Sequence, residues 1–496
     1  MTRLTTNWHA ASRRAVTIAA LAALASCAGI PTESAQDVLA RANAAMGGSN
    51  VRNISFTGNG SGATFGQAYV PGNAWPRINY SSVTRVADYE NAAFREDAAR
   101  SRAEATGGGA VPLMGQGEQR TTGMLRGNFA WNMVGPAPVP APLAVHGRTH
   151  DLWTTPHGVL KAALANNPTI RLRSEGGRTL TAVAFTVAGR FQATALIGPN
   201  GLVEQIESVQ PHPVMGDTTS VISYSDYQDY GGVKFPTRIR QTMGGYPILD
   251  LAISEVKVNT AAPFEVPALV PAFAERVVVE KAAEGVWFLG GGSHNSVAIE
   301  MKDHMIVVES PLYDGRSGLV MAEARKLGNG KPVRYVINSH HHFDHSGGLR
   351  TAVAEGATLV TSDVARPYFE RVFANPNRIS PDAMEKSGKR ASILGVIGGK
   401  HSFTDGQRVV EVHFIQDSVH VQGFMMTWLP KEKILIQADA YTPGPPNAPA
   451  PTRPNDLHVN LLQNMERLNL QATHILPLHG RMVPVSELLT AVGRKS

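Results

Sequence analysis

The chain has 496 residues and a single cysteine, Cys27, so no internal disulfide can form and a structural zinc site built on thiolates is excluded. Any metal has to rest on His, Asp or Glu. No Lys/Arg block is long enough to track a nucleic-acid backbone. The formal net charge of +6 overstates the basicity: residues 1–26 hold Arg3, Arg13 and Arg14 and no acid, and taking those three away leaves +3. Glycine (48) and proline (32) are plentiful, but without a G-X-Y period, which excludes collagen and favours many turns and strands. With 43% apolar and 17% charged residues the chain is not a disordered one. Its length suggests about three domains.

The N-terminus reads as an address. A polar segment ends in Arg13-Arg14 and is followed by an apolar run, Ala15–Ala25. A basic flank, a short apolar run and small residues describe an export signal, and the run is too short for a permanent membrane anchor. It closes Leu24-Ala25-Ser26-Cys27, which resembles the lipobox of bacterial lipoproteins. That resemblance implies cleavage after residue 26, lipid modification of Cys27 and, with Ala28 following, an outer-membrane-anchored periplasmic protein. Ser12-Arg13-Arg14 also resembles a twin-arginine signal, so the export route stays open.

Two halves of different texture follow. Thr32–Gly47 has helical spacing, with Val38, Leu39, Ala42 and Ala45 on one face. From Val51 to about Val258, short alternating runs recur between Gly/Asn/Pro turns (LTAVAFTVAG, FQATALIGPNG, LDLAISEVKVN), the pattern of an antiparallel sheet. Ala195–Pro267 is similar in pattern to the last strands of the periplasmic lipoprotein-carrier fold, which implies a sheet wrapped around a helix with an apolar lining. Residues 90–145, rich in Ala, Gly, Pro and Arg, read as partly disordered or as a long loop. His146, His150, His157 and His212 are scattered and read as surface or loop residues. Residues 259–275 carry three prolines and little charge. This divides the chain into a signal (1–26), a mainly antiparallel β domain (27–262), a linker (263–275) and a C-terminal domain (276–496).

In the last domain strands alternate with helices, the α/β pattern: VWFLGG, SVAIEMK, MIVVES and PVRYVINS as strands, SGLVMAEARKLG and LRTAVAEG as helices. Directly after PVRYVINS come His340-His341-His342-Phe343-Asp344-His345, then Gly347-Gly348. Four imidazoles and a carboxylate crowd the end of an apolar strand, where α/β folds gather their sites. His340 and His342 share a face of an extended segment and can grip one ion, while Asp344 and His345 can face a second as the chain turns. Such a donor set suits Zn²⁺, or Mn²⁺ or Fe²⁺.

The pattern H-x-H-x-D-H at His340, His342, Asp344 and His345 resembles the signature of the metallo-β-lactamase superfamily. Gln416–His420, KEKILIQADAY and ATHILPLHG stand where that family has its later motifs, so the resemblance covers about Arg276–Ser496. It implies an αβ/βα four-layer sandwich. It implies a first metal on His340, His342 and His420, a second on Asp344, His345 and His479, and Asp439 bridging them. A hydroxide held between two divalent ions, Zn in first place, would attack, with Asp344 as the catalytic proton carrier. Glu309 stands where it can orient a ligand histidine. His294 and Asn295 fall in a loop that the family places near the metals, as substrate contacts. His341, between two ligands, reads as a rim or packing residue.

The lactamase subclass that uses a cysteine ligand is excluded, since Cys27 is the sole cysteine. The expected function is an exported dinuclear-metal hydrolase of a small ester, lactone or amide. The alternatives are β-lactam hydrolysis and a non-catalytic ligand-binding lipoprotein. Expected partners are a small-molecule substrate and a membrane reached through the lipid anchor alone, with no nucleic acid.

Overall fold

The structure, a computed structural model, describes residues 33–103 and 117–494, so the signal segment and Cys27 lie outside the described residues. The first half is built on one sheet of thirteen strands. Its first strand, Asn53–Ala63, and its last, Tyr246–Val258, pair antiparallel at the middle. One meander runs outward from the first strand to Ala137–Pro140, and another runs outward from the last strand to Thr169–Glu175. All its pairings are antiparallel.

One face of this sheet is closed by three helices. The helix Ala35–Ala45 starts on a Ser34 capping box and buries Val38, Leu39 and Ala42, as the spacing of apolar residues requires. The helices Val145–Trp153 and Pro156–Ala165 add Leu152, Val159 and Leu160 to the same core, against Phe56, Phe191, Ile206, Phe235 and Leu251 of the strands.

Two expectations fail here. The described residues of the segment 90–145, 90–103 and 117–145, are not a long loop: they hold the strands Ala93–Arg102, Gln119–Arg126, Phe129–Val134 and Ala137–Pro140. Its inward positions are few and often alanine (Phe94, Ala98, Leu125, Ala130), which leaves a faint period-two signal. Nor are His150 and His157 surface residues. Both lie on the helices under the sheet and are buried, with His150 Nε2 at 2.7 Å from Ser208 Oγ and His157 Nε2 at 3.2 Å from the Met46 carbonyl.

The second half is a four-layer αβ/βα sandwich. A seven-stranded sheet runs from Val278–Ala283 to Ser392–Val396, and a six-stranded sheet from Lys400–Thr404 to Val483–Pro484. Their facing sides share a core of Val297, Ile299, Ile306, Ile337 and Val360 with Val410, Val412, Met425, Ile436 and Leu476. The outer side of the first sheet is covered by the helices Asp314–Leu327, Leu349–Glu355 and Arg366–Ala374, through Val320, Met321, Val353 and Phe369. The outer side of the second is covered by Asp456–Arg467 and Val485–Ala491, through Leu461, Met465 and Leu488. Tyr368, Phe369 and Phe373, at helical spacing, are packing residues of this shell.

Burial pushes both His150 and His157 down to about 4. An unfolded chain takes up protons on these rings below about pH 6.5, which the folded chain refuses until about pH 4. Their contribution to stability is therefore complete above pH 6.5 and lost as pH falls through that window, by on the order of 1 kcal/mol per pH unit per ring. Asp151 acts oppositely, since burial pushes it up to about 6 and the folded chain holds its proton more tightly. Thermal melts of chelator-treated protein between pH 7 and 4.5 should show Tm falling with pH. The fall should be shallower in His150→Gln, and an unchanged slope in that variant would refute the assignment.

Candidate metal centre

The loops that matter all leave the same edge of the two sheets. His340–His345 follow the strand Val333–Ile337, which runs parallel to both its neighbours. The turn from strand to ligands is set by Glu309, at the end of the adjacent strand Met305–Val308. Its φ of 69° is costly for a residue with a side chain. The carboxylate holds the backbone there: one oxygen accepts from the Ser339 N–H at 2.5 Å and the other lies 2.9 Å from His345 Nδ1. Glu309 thus orients a histidine of the constellation, despite being one methylene longer than an aspartate. From the second sheet, His420 comes from the connection between Val409–Phe414 and Met425–Leu429. Asp439 follows Ile434–Gln437, and His479 follows His474–Pro477.

These loops bring the predicted residues together in two groups. His340, His342, His420 and Asp439 form one, and His294, Asp344, His345 and His479 the other; within each group one donor atom per residue lies within 4.8 Å of the rest. In the first, His340 Nε2 stands 3.0 Å from His342 Nδ1 and 3.3 Å from His420 Nε2, with Asp439 Oδ2 2.8 Å from His420 Nε2. In the second, His479 Nε2 stands 3.0 Å from His345 Nε2, with Asp439 Oδ1 2.8 Å from His479 and 3.1 Å from His345. Asp439 therefore turns one oxygen to each group.

The donor set fits divalent cations on several counts. Nitrogens bound tetrahedrally at the usual zinc distance lie about 3.3 Å apart, close to these separations. Asp439 is buried, and neither of its oxygens has a properly aimed hydrogen bond although each sits 2.8 Å from an imidazole nitrogen. Distance without direction is what coordinating groups show when their common partner is a cation. The outer ring nitrogens are already committed. His340 Nδ1 meets Ser339 Oγ at 2.9 Å, His345 Nδ1 meets Glu309, and His342 Nε2 meets the Ala68 carbonyl at 3.1 Å. Such outer bonds fix each tautomer and aim the remaining lone pair inward.

Charge agrees with this. Burial and the neighbouring imidazoles hold His340 and His342 well below the ordinary histidine range, so both present lone pairs. Burial would raise Asp439 and Asp344, but the adjacent imidazoles override it and keep both ionised at neutral pH. Burial likewise pulls His345 down, yet Asp439, Asp344 and Glu309 together hold it well above its usual value. In the metal-free chain His345 thus carries a positive charge that a cation in the second group would replace.

His294 stands closer to the centre than a substrate contact need be. It is a member of the second group, with Nε2 3.1 Å from Asp344 Oδ2 and Nδ1 2.9 Å from Ser293 Oγ. Asn295 points elsewhere: its amide donates to the Pro477 and Gly480 carbonyls at 3.2 and 2.8 Å, tying the first sheet to the His479 loop. His341 packs edge-on against Tyr368 with ring centres 5.8 Å apart, outside both groups.

The sequence reading missed a contribution from the first half of the chain. Gln67 Nε2 donates to Asp344 Oδ1 at 2.9 Å, the Phe343 N–H donates to the Gly66 carbonyl at 3.3 Å, and Ala68 supplies the carbonyl that holds His342. At Gly66, with φ of 80°, an added Cβ would lie 2.4 Å from the Phe343 ring, so only glycine permits this approach. The stretch TFGQAYV has no ligand spacing, and no local signal marks it.

Residues 289–469 match the family model described as the metallo-beta-lactamase superfamily. No curated protein matches the chain. Among solved structures, a metallo-beta-lactamase from Pontibacter korlensis is 17% identical with a TM-score of 0.34, covering 44% of this chain and 98% of its own. One from Hirschia baltica is 16% identical with a TM-score of 0.33, covering 43% and 95%. A third, from Pseudomonas aeruginosa in its mono-zinc form, is 20% identical with a TM-score of 0.32, covering 43% and 93%.

Elemental analysis of metal-loaded protein should find two ions per chain, falling to at most one in Asp439→Asn. Glu309→Gln should weaken the second ion's affinity by about 10–100-fold while leaving the first tight. Two tight ions in Asp439→Asn would overturn the bridging role. Residues 289–469 match the metallo-beta-lactamase superfamily model, and the two His/Asp groups of the C-terminal half offer the donor set of a metal-dependent hydrolase.

Proposed function

We propose that this chain is an exported dinuclear-metal hydrolase that cleaves a small ester, lactone or amide. The observation that carries the reading is Asp439, one carboxylate with an oxygen turned to each donor group. A pair of divalent ions, Zn²⁺ by the all-His/Asp donor set, would supply Lewis acidity and a water acidified to near neutral pH.

The chain's own residues do the rest. Glu309, Ser339 and the Ala68 carbonyl lock the ligand imidazoles in one orientation before substrate arrives. Asp344 is ionised, with Oδ1 accepting from Gln67 and Oδ2 at 3.1 Å from His294 Nε2, and this positioned carboxylate would take the proton of the attacking water and return it to the leaving group. The balance is that of acyl transfer to water. The water oxygen bonds to the acyl carbon, the acyl–oxygen or acyl–nitrogen bond breaks, and one proton passes to the departing alcohol or amine. No serine or cysteine nucleophile is needed.

We place the protein on the periplasmic side of an outer membrane, tethered by a lipid on Cys27, on the strength of Leu24–Cys27 and the apolar run before it. Its partners are then a small-molecule substrate and the membrane under its anchor. Lipid labelling in a bacterial host should mark the wild-type chain and not Cys27→Ser, which should leave the membrane fraction. Label retained by that variant would refute the anchor.

The activity is tested by a screen of metal-loaded protein over aryl esters, lactones, amides and β-lactams. Hydrolysis should vanish with a chelator, return with Zn²⁺, and fall by about 100-fold or more in kcat for Asp344→Asn. Turnover that survives chelation, or turnover of β-lactams alone, would replace this reading.

A further inference from the structure

Between the two halves of the molecule lies a cavity of about 580 Å³ with Asp344 in its wall. That is the size of a small-molecule site. Both halves build it. Phe65, Leu143 and Met243 come from the first, and Leu312, Phe343 and Asp344 from the second, with Gln67 at their junction. Phe343 presents an aromatic wall, its ring edge-on to Phe65 at 5.2 Å between centres and tilted against His212 at 4.7 Å. The Gln67–Asp344 hydrogen bond joins this cavity to the second donor group.

The charge of the lining is informative. Among the described residues, no Lys or Arg lines the cavity. His146 and His212 do, but burial lowers both, His212 to about 3, so neither offers a cation at neutral pH. The other carboxylates are spoken for. Asp314 accepts from Thr351 and from the Ala383 N–H, and Asp382 from Arg350, Asn377 and the Glu385 N–H. An anionic group seated in this space, away from the donor groups, would shed its hydration and find no counter-charge among the lining side chains, which is costly. An apolar group would lose nothing and gain contact with the aromatic and aliphatic wall. A second cavity between the halves, of about 410 Å³, does contain Arg371, but none of its lining residues belongs to either donor group.

We propose that the cavity beside Asp344 is the substrate pocket, that it takes an uncharged substrate bearing an apolar acyl or aryl arm, and that the N-terminal sheet half sets this preference. The proposal rests on the hydrolase reading for its reaction, but the cavity can be read without turnover.

The test uses the full metal-loaded chain and aryl esters of acetate, butyrate and hexanoate. A hexanoate ester with a terminal carboxylate on the acyl chain completes the series. Expected kcat/KM rises about 3–4-fold per added methylene, and the carboxylated ester falls at least ~10-fold below its neutral counterpart. Leu143→Arg, on an exposed turn of the sheet half, and Ser380→Arg, on the opposite wall, each place a cation at the rim. Both should narrow the gap between carboxylated and neutral esters about 5-fold or more. A flat chain-length profile, or a wild-type preference for the carboxylated ester, overturns the proposal while leaving the hydrolase reading intact. If no ester, lactone or amide is cleaved with both ions bound, the hydrolase reading fails. Calorimetric binding of neutral alkyl ketones then decides: affinity that grows with chain length and weakens in Leu143→Arg sustains the pocket, and no binding overturns it.

Discussion

Asp439 is buried where water cannot solvate it, and its two oxygens face opposite ways. A carboxylate in that position is stable only if positive charge is supplied on both sides. In the bare chain a protonated His345 supplies part of it, held in that state by Asp439, Asp344 and Glu309. Every other feature of the centre follows from satisfying this one group. The neutral imidazoles of His340 and His342, the outer hydrogen bonds that aim the ligand rings and the strained backbone at Glu309 all hold donors around two points that share one anion. Replacing the histidine proton by a cation converts a costly buried charge cluster into a coordinated one.

The same centre draws the two halves of the chain into one working unit. A turn of the sheet half, pressed in by Gly66, closes over the His340–His345 loop and contributes a carbonyl to one ligand and an amide to another. His340, His342 and His420 are thereby sealed, while Asp344 and His479 keep partial exposure. Access to the centre is therefore asymmetric, and it opens on the side where both halves line a common cavity. A metal-binding domain that needs groups from its neighbour to finish its shell couples the folding of the two.

Much of the second half was legible in the sequence because its signals are local. The strands VWFLGG, SVAIEMK and PVRYVINS and the helix ending at Gly328 are where period and capping place them. The His340–His345 cluster declares itself within six residues, and Glu309 was legible through the family resemblance, at a strand end where that family often has a carboxylate. The segment 90–145 was not legible, because alanine at its inward positions scarcely distinguishes a strand from a loop. His150 and His157 were misplaced for a related reason: composition treats histidine as a surface residue, whereas helix packing and a single hydrogen bond each make burial tolerable.

What the residue order determined by itself was the kind of chemistry. One cysteine ruled out thiolate ligation, the density of imidazole and carboxylate called for cations, and alternating patterns dictated an antiparallel sheet half before an α/β half. Convergence was decided only in three dimensions. Asp439 faces both groups because two parallel strands of the second sheet end side by side. Gln67 meets Asp344 across 277 positions of chain because two domains pack against each other. Spacing along a chain encodes which donors can share one turn or one strand end, but contacts between distant segments depend on packing, and no local period records them.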